Sequence, residues 1–202
     1  MAMQWLKAAQ AQRLRWRNDG GWTREIAAGV LSPVADGEDA GAASDWDWRI
    51  SVAEIEQDGP FSAFPGIDRC LLLLDGPGMD LEFADGGRVR VSPQQPRIDF
   101  AGEAAVHCRL LAGPTRDFNV MWRRARLAAD VVRLDVEGAS GVPAPPAALL
   151  CVFHVVSGRL DVDGRVLAEG DSLLLTPPHV RALRLSGSAQ VLMTTFQRVS
   201  TP

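Results

Sequence analysis

Residues 155–166 read Val155-Val156-Ser157-Gly158-Arg159-Leu160-Asp161-Val162-Asp163-Gly164-Arg165-Val166, and they decide the fold class. The stretch begins as an apolar strand, turns at a glycine, continues as an alternating strand and reverses at Asp163-Gly164. An Asp-Gly pair flanked by alternating residues is a strong signal of a type I′ hairpin. The stretch therefore predicts antiparallel β-structure.

An earlier segment repeats this order. Leu73-Leu74-Asp75-Gly76 is followed by an alternating strand and by Ala84-Asp85-Gly86-Gly87-Arg88-Val89, and the later copy continues to Thr176-Pro177-Pro178. This order of glycine, aspartate and proline between short strands is typical of one half of a jelly roll. We therefore predict an all-β fold of two jelly-roll barrels with little helix, covering residues 1–125 and 126–202.

Two segments are expected to depart from this strand pattern. The Gly- and Pro-rich residues 137–146 predict a semi-rigid connector between the two repeats. Residues 3–14, where Ala and Gln dominate, predict a helix of a turn or two.

Composition excludes several classes of function. An apolar share of 47% and a charged share of 23% are those of an ordinary globular protein. A net charge of −4 argues against nucleic acid and membrane as partners. Cys70, Cys108 and Cys151 lie in apolar runs, which predicts buried free thiols, and the first residues lack the long apolar core that is typical of a signal peptide. These features predict a cytoplasmic protein, and pairing of sheet edges makes a homodimer plausible.

Metal and nucleophilic chemistry find no support in the sequence. His107, His154 and His179 are isolated from one another and from nearby carboxylates, so three converging ligands are not expected. No Gly-x-Ser-x-Gly elbow occurs. We therefore predict neither a metal nor a cofactor, and we assign no catalytic residue.

Residues 16–27, with paired glycines before an alternating run, predict the wall of a polar pocket. Gly20-Gly21 allows the backbone to approach a neighbour closely. In the strand that follows, Thr23 and Glu25 share one face, while Arg24 and Ile26 share the other. A strand face with a hydroxyl and a charge is an unlikely piece of pure core.

Two other strands carry a polar face beside an apolar one. In Trp46-Asp47-Trp48-Arg49-Ile50-Ser51-Val52, the alternation places Arg49 and Ser51 opposite the tryptophans. Asp117 and Asn119 alternate in the same way with Phe118 and Val120. Each polar face is equally well explained by solvent exposure or a buried salt bridge, but their joint occurrence favours a pocket.

The residue types of this pocket suit a small anionic metabolite. A guanidinium forms two parallel hydrogen bonds to a carboxylate, so Arg49 and Arg69 are expected to hold one. Amide and hydroxyl groups would orient a polar tail, and Glu25 or Asp117 would pair with an arginine or accept from a ligand nitrogen. Trp16, Trp48, Phe61 and Phe64 could supply flat walls. The predicted ligand-binding residues are Trp16, Asn18, Thr23, Arg24, Glu25, Arg49, Ser51, Phe64, Arg69, Asp117 and Asn119.

Several of these motifs together resemble the HutD/Ves family, over about residues 10–125. The first motif is matched by Trp16, Arg17, Asn18, Gly20, Gly21, Thr23, Arg24, Glu25 and Ile26. Further matches are Trp48-Arg49-Ile50-Ser51, Gly59-Pro60-Phe61-Ser62, Phe64-Pro65-Gly66-Ile67-Asp68-Arg69 and Asp117-Phe118-Asn119-Val120-Met121. Asp19 departs from the pattern, because a third glycine is expected there.

This resemblance implies a bicupin without the usual metal ligands, linked to histidine utilisation as a regulator or ligand sensor. It also implies ligands such as urocanate or formylated and formiminated glutamate. Two alternatives stay open. One is an isomerase or hydrolase that uses Glu25 or Asp117 as general base. The other is a structural or partner-binding module whose polar strands form buried salt bridges and whose tryptophans form a contact patch.

Overall fold

A computed structural model describes residues 3–16, 18–31, 45–141, 147–176 and 183–199. These residues form sixteen strands and one short 3₁₀ helix, Ala8–Gln10, which confirms the prediction of an all-β fold. No helix within these ranges is long and apolar enough to cross a bilayer. The strands are β1 (Met3–Leu6), β2 (Arg13–Arg15), β3 (Gly21–Gly29), β4 (Trp48–Ile55), β5 (Gly59–Pro60), β6 (Ile67–Asp75), β7 (Met79–Phe83), β8 (Arg88–Val91), β9 (Arg97–Ala101), β10 (Val106–Leu110), β11 (Thr115–Arg123), β12 (Leu127–Gly141), β13 (Leu150–Val162), β14 (Arg165–Ala168), β15 (Ser172–Leu175) and β16 (Arg184–Arg198).

The chain divides into two compact units. Residues 12–125 contain a six-stranded sheet in the order β2-β3-β4-β11-β6-β9 and a four-stranded sheet in the order β5-β10-β7-β8. Residues 1–11 and 126–202 form the other unit, whose sheet has the order β1-β15-β13-β16-β12 with β14 paired to β13. Within the described residues, none of the three sheets closes on itself.

The first eleven residues do not belong where the sequence pattern placed them. Strand β1 pairs antiparallel with β15, from Met3 opposite Leu175 to Leu6 opposite Ser172. Lys7 then donates a 2.8 Å hydrogen bond to Asp171. The start of the chain therefore groups with the C-terminal unit, although the division near residue 125 coincides with the predicted boundary.

The predicted short helix is limited to one 3₁₀ turn, Ala8–Gln10, and the predicted connector is wrong for residues 137–141. Residues 3–14 contain β1, the 3₁₀ turn and the start of β2, because strand pairing outweighs the weak helix preference of Ala and Gln. Glu137–Gly141 continue β12 and pair with residues 184–188 of β16. The rest of the expected connector, residues 142–146, lies outside the described residues.

The two Asp-Gly turns differ in geometry. Asp163 and Gly164 have φ of 50° and 83°, as a type I′ turn requires, and they join β13 to β14 as predicted. In the earlier copy, φ of Gly86 is 92°, but Asp85 is not among the residues with positive φ. That turn spans residues 84–87 between β7 and β8, so the sequence pattern located the hairpin but not its type.

An apolar cluster forms the core of the unit at residues 12–125. It joins inward-facing residues of both sheets, and Trp16, Phe61 and Phe100 pack against it while only partly buried. Its buried members are Ile55, Leu71, Leu73, Met79, Leu81, Val91, Ile98, Val106 and Cys108. All three cysteines are buried and free, as predicted, and burial raises the pKa of Cys108 and of Cys151 to about 12.

Candidate ligand-binding cavity

The unit at residues 12–125 contains a cavity of about 820 Å³ beside its apolar core. The interior is therefore not filled by hydrocarbon. The cavity is lined by Leu14, Arg15, Trp16, Asn18, Thr23, Arg49, Ser51, Ala53, Pro60, Phe61, Ser62, Phe64, Arg69, Asp117, Asn119 and Met121. Nine of the eleven predicted residues are among them, and Arg24 and Glu25 are not.

Strands β4 and β11 supply the floor of the cavity through their alternation. Arg49, Ser51 and Ala53 of β4 lie opposite Met121, Asn119 and Asp117 of β11 in the antiparallel register. The residues between them, such as Trp48 and Phe118, are buried on the other face of the sheet. Trp48 is therefore not the cavity wall that the sequence suggested.

The turn before β3 is shaped by its glycines and by two polar side chains. A Cβ on Gly21 would lie 2.3 Å from the carbonyl oxygen of Glu54, so the close approach of β3 and β4 requires glycine. Asn18 Oδ1 accepts a hydrogen bond from the Gly20 amide at 3.1 Å. Asp19 has φ of 54°, in the left-handed region that glycine favours and Asp tolerates. Asp19 therefore has the left-handed backbone conformation for which a glycine is expected at this position.

Aromatic side chains form one wall of the cavity. The Trp16 indole donates a 2.8 Å hydrogen bond from Nε1 to Thr23 Oγ1, which fixes both residues at the cavity rim. Trp16 also meets Phe61 edge to face, with ring centroids 6.4 Å apart. This wall is rigid and largely apolar, as small-molecule sites generally are.

Arg69 is buried among aromatic rings and lacks a full set of partners. Its side chain is only 6% exposed, and its guanidinium carbon lies 5.3, 5.9 and 4.9 Å from the rings of Phe61, Phe64 and Phe100. Nε has no hydrogen-bond partner among the described residues. Burial lowers the pKa of Arg69 to about 10, partly offset by Asp117, and Arg49 lowers it further. Arg69 is therefore a buried cation that faces a cavity.

Asp117 and Asn119 present unsatisfied oxygens to the same cavity. Asp117 is 1% exposed, and both Asp117 Oδ1 and Asn119 Oδ1 lack a hydrogen-bond partner within the described ranges. Burial raises the pKa of Asp117 to about 7, although the nearby Arg69 acts to lower it. Groups of this kind, buried and without partners, are expected where a ligand completes the hydrogen bonding.

Glu25 and Arg24, which were predicted to bind the ligand, do not line the cavity. Glu25 Oε2 accepts a 2.7 Å hydrogen bond from Arg49 Nε, and it is the more exposed member of that pair. Arg24 lies opposite Val52, on the face of the sheet turned away from the cavity. Glu25 lies opposite the cavity residue Ser51, on the same face as Thr23, and the register shift of β3 follows it, between Glu25 and Ala27. Its side chain is 44% exposed and pairs with Arg49 instead of lining the cavity.

Several lining residues were not predicted. Ala53 and Met121 follow directly from the alternation that identified their neighbours, so the signal was present in the sequence. Arg15 forms ion pairs with Glu56, at 2.5 Å, and with Asp19. The pair with Glu56 joins residues 41 positions apart, so the sequence of the short strand β2 does not indicate it. The other unpredicted members are Leu14, Pro60 and Ser62, whereas Phe61 lines the cavity as the aromatic wall that was predicted.

Two of the three histidines lie within the described residues, one in each unit. His107 is exposed on β10, and His154 is buried on β13 with Nδ1 2.9 Å from Ser172 Oγ. His179 lies outside the described residues. Among the residues with assigned positions, no group of three or more His, Cys, Asp or Glu side chains is arranged to hold a metal ion.

Comparisons with known proteins agree with this architecture. The solved structure of HutD from Pseudomonas fluorescens SBW25 (formate condition) is 27% identical, with a TM-score of 0.78 over 98% of this chain and 100% of that one. A conserved protein of unknown function from Pseudomonas aeruginosa PAO1 is also 27% identical, with a TM-score of 0.77 and the same coverage. The Escherichia coli pirin YhhW in complex with nickel(II), at 13% identity and a TM-score of 0.63 over 98% of this chain and 100% of that one, shares the fold alone.

Sequence comparisons identify the family. An uncharacterized 21.2 kDa protein in the hutC 3′ region of Pseudomonas putida is 38% identical over 128 residues, 63% of this chain. The match spans 62% of that relative, less than two thirds of its length. The family model for HutD matches residues 8–193, which is most of the chain. The chain therefore belongs to the HutD family.

Proposed function

We propose that the cavity binds a small carboxylate metabolite and that binding serves a sensing or regulatory role in histidine utilisation. The observation that carries the proposal is Arg69, a buried guanidinium with an unpartnered Nε on the wall of an unfilled cavity. A buried charge without a partner is costly, and a ligand carboxylate would supply the missing acceptor. Arg49 lines the same cavity and adds a second positive charge.

Histidine breakdown products are the ligands that this proposal favours. Urocanate, formylglutamate and formiminoglutamate each carry a carboxylate and a polar nitrogen-bearing end. A cavity of about 820 Å³ falls in the ordinary range for small-molecule sites. Family membership, a relative described by its position near hutC, and a related HutD structure described by its formate condition support this choice.

Thermal shift and calorimetry with a panel of acids test the binding step. Urocanate, formylglutamate, formiminoglutamate and formate are compared with urocanate amide, which lacks the carboxylate. A ligand at 100 times its dissociation constant should stabilise the fold by about 2.7 kcal/mol. Arg69→Gln should abolish the shift, whereas Arg109→Gln should not, because Arg109 is exposed on β10 and pairs with Glu82. The absence of a shift with every acid would contradict the proposal.

The regulatory role is tested in cells. In a strain that lacks its own copy, the wild-type gene should alter the expression of histidine-utilisation genes when histidine is supplied. The Arg69→Gln gene should not restore this response if ligand binding is the signal. If the wild-type and Arg69→Gln genes give equal responses, ligand binding in the cavity is not the regulatory signal. Fractionation of the same strain tests the expected cytoplasmic location. Sedimentation of the purified protein tests the expected homodimer.

An enzyme is the second candidate, and one observation favours Asp117 as its base. Asp117 lines the cavity with a pKa near neutrality, as proton transfer requires, whereas Glu25 is outside the cavity and paired with Arg49. Conversion of a bound acid that is lost in Asp117→Asn would favour catalysis. If no bound member of the panel is converted, sensing is the better account.

A further inference from the structure

Asp117 poses a physical problem that the carboxylate-binding proposal makes sharper. Its carboxyl group is almost completely buried, and Oδ1 has no partner among the described residues. Arg69 acts on it electrostatically, yet no ion pair within 4 Å joins the two side chains in the described part of the chain. A ligand carboxylate that docks on Arg69 would therefore enter a site that already contains a buried acid.

Two carboxylates that share one buried site do not both stay ionised. The approach of the second negative charge raises the pKa of the first, and one proton is taken up between them. Once protonated, a carboxyl group becomes a hydrogen-bond donor to the carboxylate beside it. Asp117 lines the cavity, and its buried Oδ1 has no hydrogen-bond partner among the described residues, so the carboxyl group has an unused position for this bond.

The charged groups around Asp117 leave it as the group that takes the proton. From β6 it faces Arg69, whose pKa of about 10 keeps it cationic at neutral pH. From β4 comes Arg49, which is held by Glu25 of β3. Cys108 lies on β10 of the opposite sheet. Burial and the negative charges of Asp117 and Asp58 raise the pKa of its thiol to about 12, so the thiol is neutral.

We propose that Asp117 binds the ligand as a neutral carboxylic acid and donates its proton to the ligand carboxylate beside Arg69, so that capture of the acid is coupled to proton uptake. The balance is simple: ionised Asp117, one ligand carboxylate and one solvent proton give one hydrogen-bonded acid–carboxylate pair. Asp117 thereby selects anions that can accept a hydrogen bond. The inference rests on the proposed function, because it concerns the same cavity.

Calorimetry with formate tests the coupling, since formate has no second polar group and stays ionised between pH 6 and pH 8. If only the protonated site binds and the free carboxyl has a pKa of about 7, affinity should fall about tenfold from pH 6 to pH 8. At pH 8, titrations in two buffers of different ionisation enthalpy should report uptake of about one proton per formate bound. Asp117→Asn should bind without proton uptake and with less than about twofold change between the two pH values.

Glu25→Gln is the matched control, because Glu25 is the carboxylate that pairs with the cavity residue Arg49. It should keep the pH dependence and the proton uptake of the wild type. Two results would overturn the inference and leave the proposed function standing. One is the loss of proton uptake in Glu25→Gln while Asp117→Asn keeps it, and the other is wild-type binding without proton uptake. The absence of formate binding at both pH values, together with failure of the acid panel, would remove the proposed function itself. If Asp117→Asn does not fold, the buffer comparison on wild type and Glu25→Gln decides the question.

Discussion

Asp117→Asn should change the way in which the stability of the ligand-free protein depends on pH. Burial raises the pKa of Asp117 to about 7, whereas in the unfolded chain the carboxyl ionises near its ordinary value of 3.8. Between these two pH values the folded protein holds a proton that the unfolded chain has released. The stability contributed by this proton is complete below the unfolded pKa and is lost as the pH rises through the folded pKa.

The size of the effect follows from the width of this window. Each pH unit inside it removes about 1.4 kcal/mol from the free energy of unfolding. Between pH 5.5 and the end of the window near pH 7 the wild type should therefore lose about 2 kcal/mol relative to a variant whose amide cannot titrate. Differences in packing and hydrogen bonding between the amide and the carboxyl group shift the variant by a constant amount, so the comparison across pH isolates the titration.

Urea unfolding at pH 5.5, 7.0 and 8.5, followed by tryptophan fluorescence, measures this difference. Asp99→Asn is the control, because Asp99 is an exposed carboxylate on β9 that pairs with Arg97. A gap between wild type and Asp117→Asn that does not change with pH would refute the reasoning. Such a constant gap would mean that Asp117 is ionised beside Arg69 in the folded protein over this whole pH range.

Three further changes test the framework of the cavity. Gly21→Ala places a methyl group against the Glu54 carbonyl and should lower the unfolding free energy by about 2 kcal/mol or more in thermal or urea melts. Thr23→Val removes the acceptor of the Trp16 indole and should cost about 1 kcal/mol in the same assay. Asp80, whose pKa two surface arginines hold well below its usual range, stabilises the fold above the ordinary carboxyl pKa and loses this effect as the pH falls. Asp80→Asn should therefore be destabilising by a constant amount from pH 7 down to about pH 4, and this deficit should shrink only as the pH falls below the ordinary carboxyl pKa, as measured by urea unfolding.

Each of these changes has an outcome that would count against it. Gly141→Ala is the control for Gly21→Ala, since a Cβ there meets nothing within 4 Å, and equal melts for the two variants would refute the packing argument. Unchanged stability in Thr23→Val would mean that water replaces the lost acceptor. A deficit in Asp80→Asn that stays constant from pH 4 down to pH 2 would point to packing rather than charge.

Regular alternation made much of the cavity predictable. In β4 and β11 every second residue faces the same side, so Arg49, Ser51, Asp117 and Asn119 could be assigned to one face from the sequence alone. The alternation also gives the correct face for Glu25, which lies opposite Ser51. It does not give the partner of a long side chain, so Glu25 was expected in the cavity wall and instead pairs with Arg49 and is 44% exposed.

Long-range pairing limited the prediction of the fold. Nothing local in Met3–Leu6 indicates a strand, since its partners are residues 172–175. The glycines near residue 138 suggested a connector, yet Gly138 lies opposite Gly187 within the β12–β16 ladder. In both cases the deciding interaction is with a distant strand, and local preference is a weak guide there.

The pairing of β1 with β15 has a consequence for the order of folding. Lys7 and Asp171 are 164 positions apart, so during synthesis β1 waits without a partner until nearly the whole chain has been made. Residues 12–125 contain all the partners of their own strands and can assemble in the meantime. A shortened chain that starts at residue 12 would keep the cavity but leave the edge of β15 bare, open to capture by another polypeptide. Joining residues 1–11 behind residue 202 would instead let the last-made unit complete its sheet from one continuous stretch.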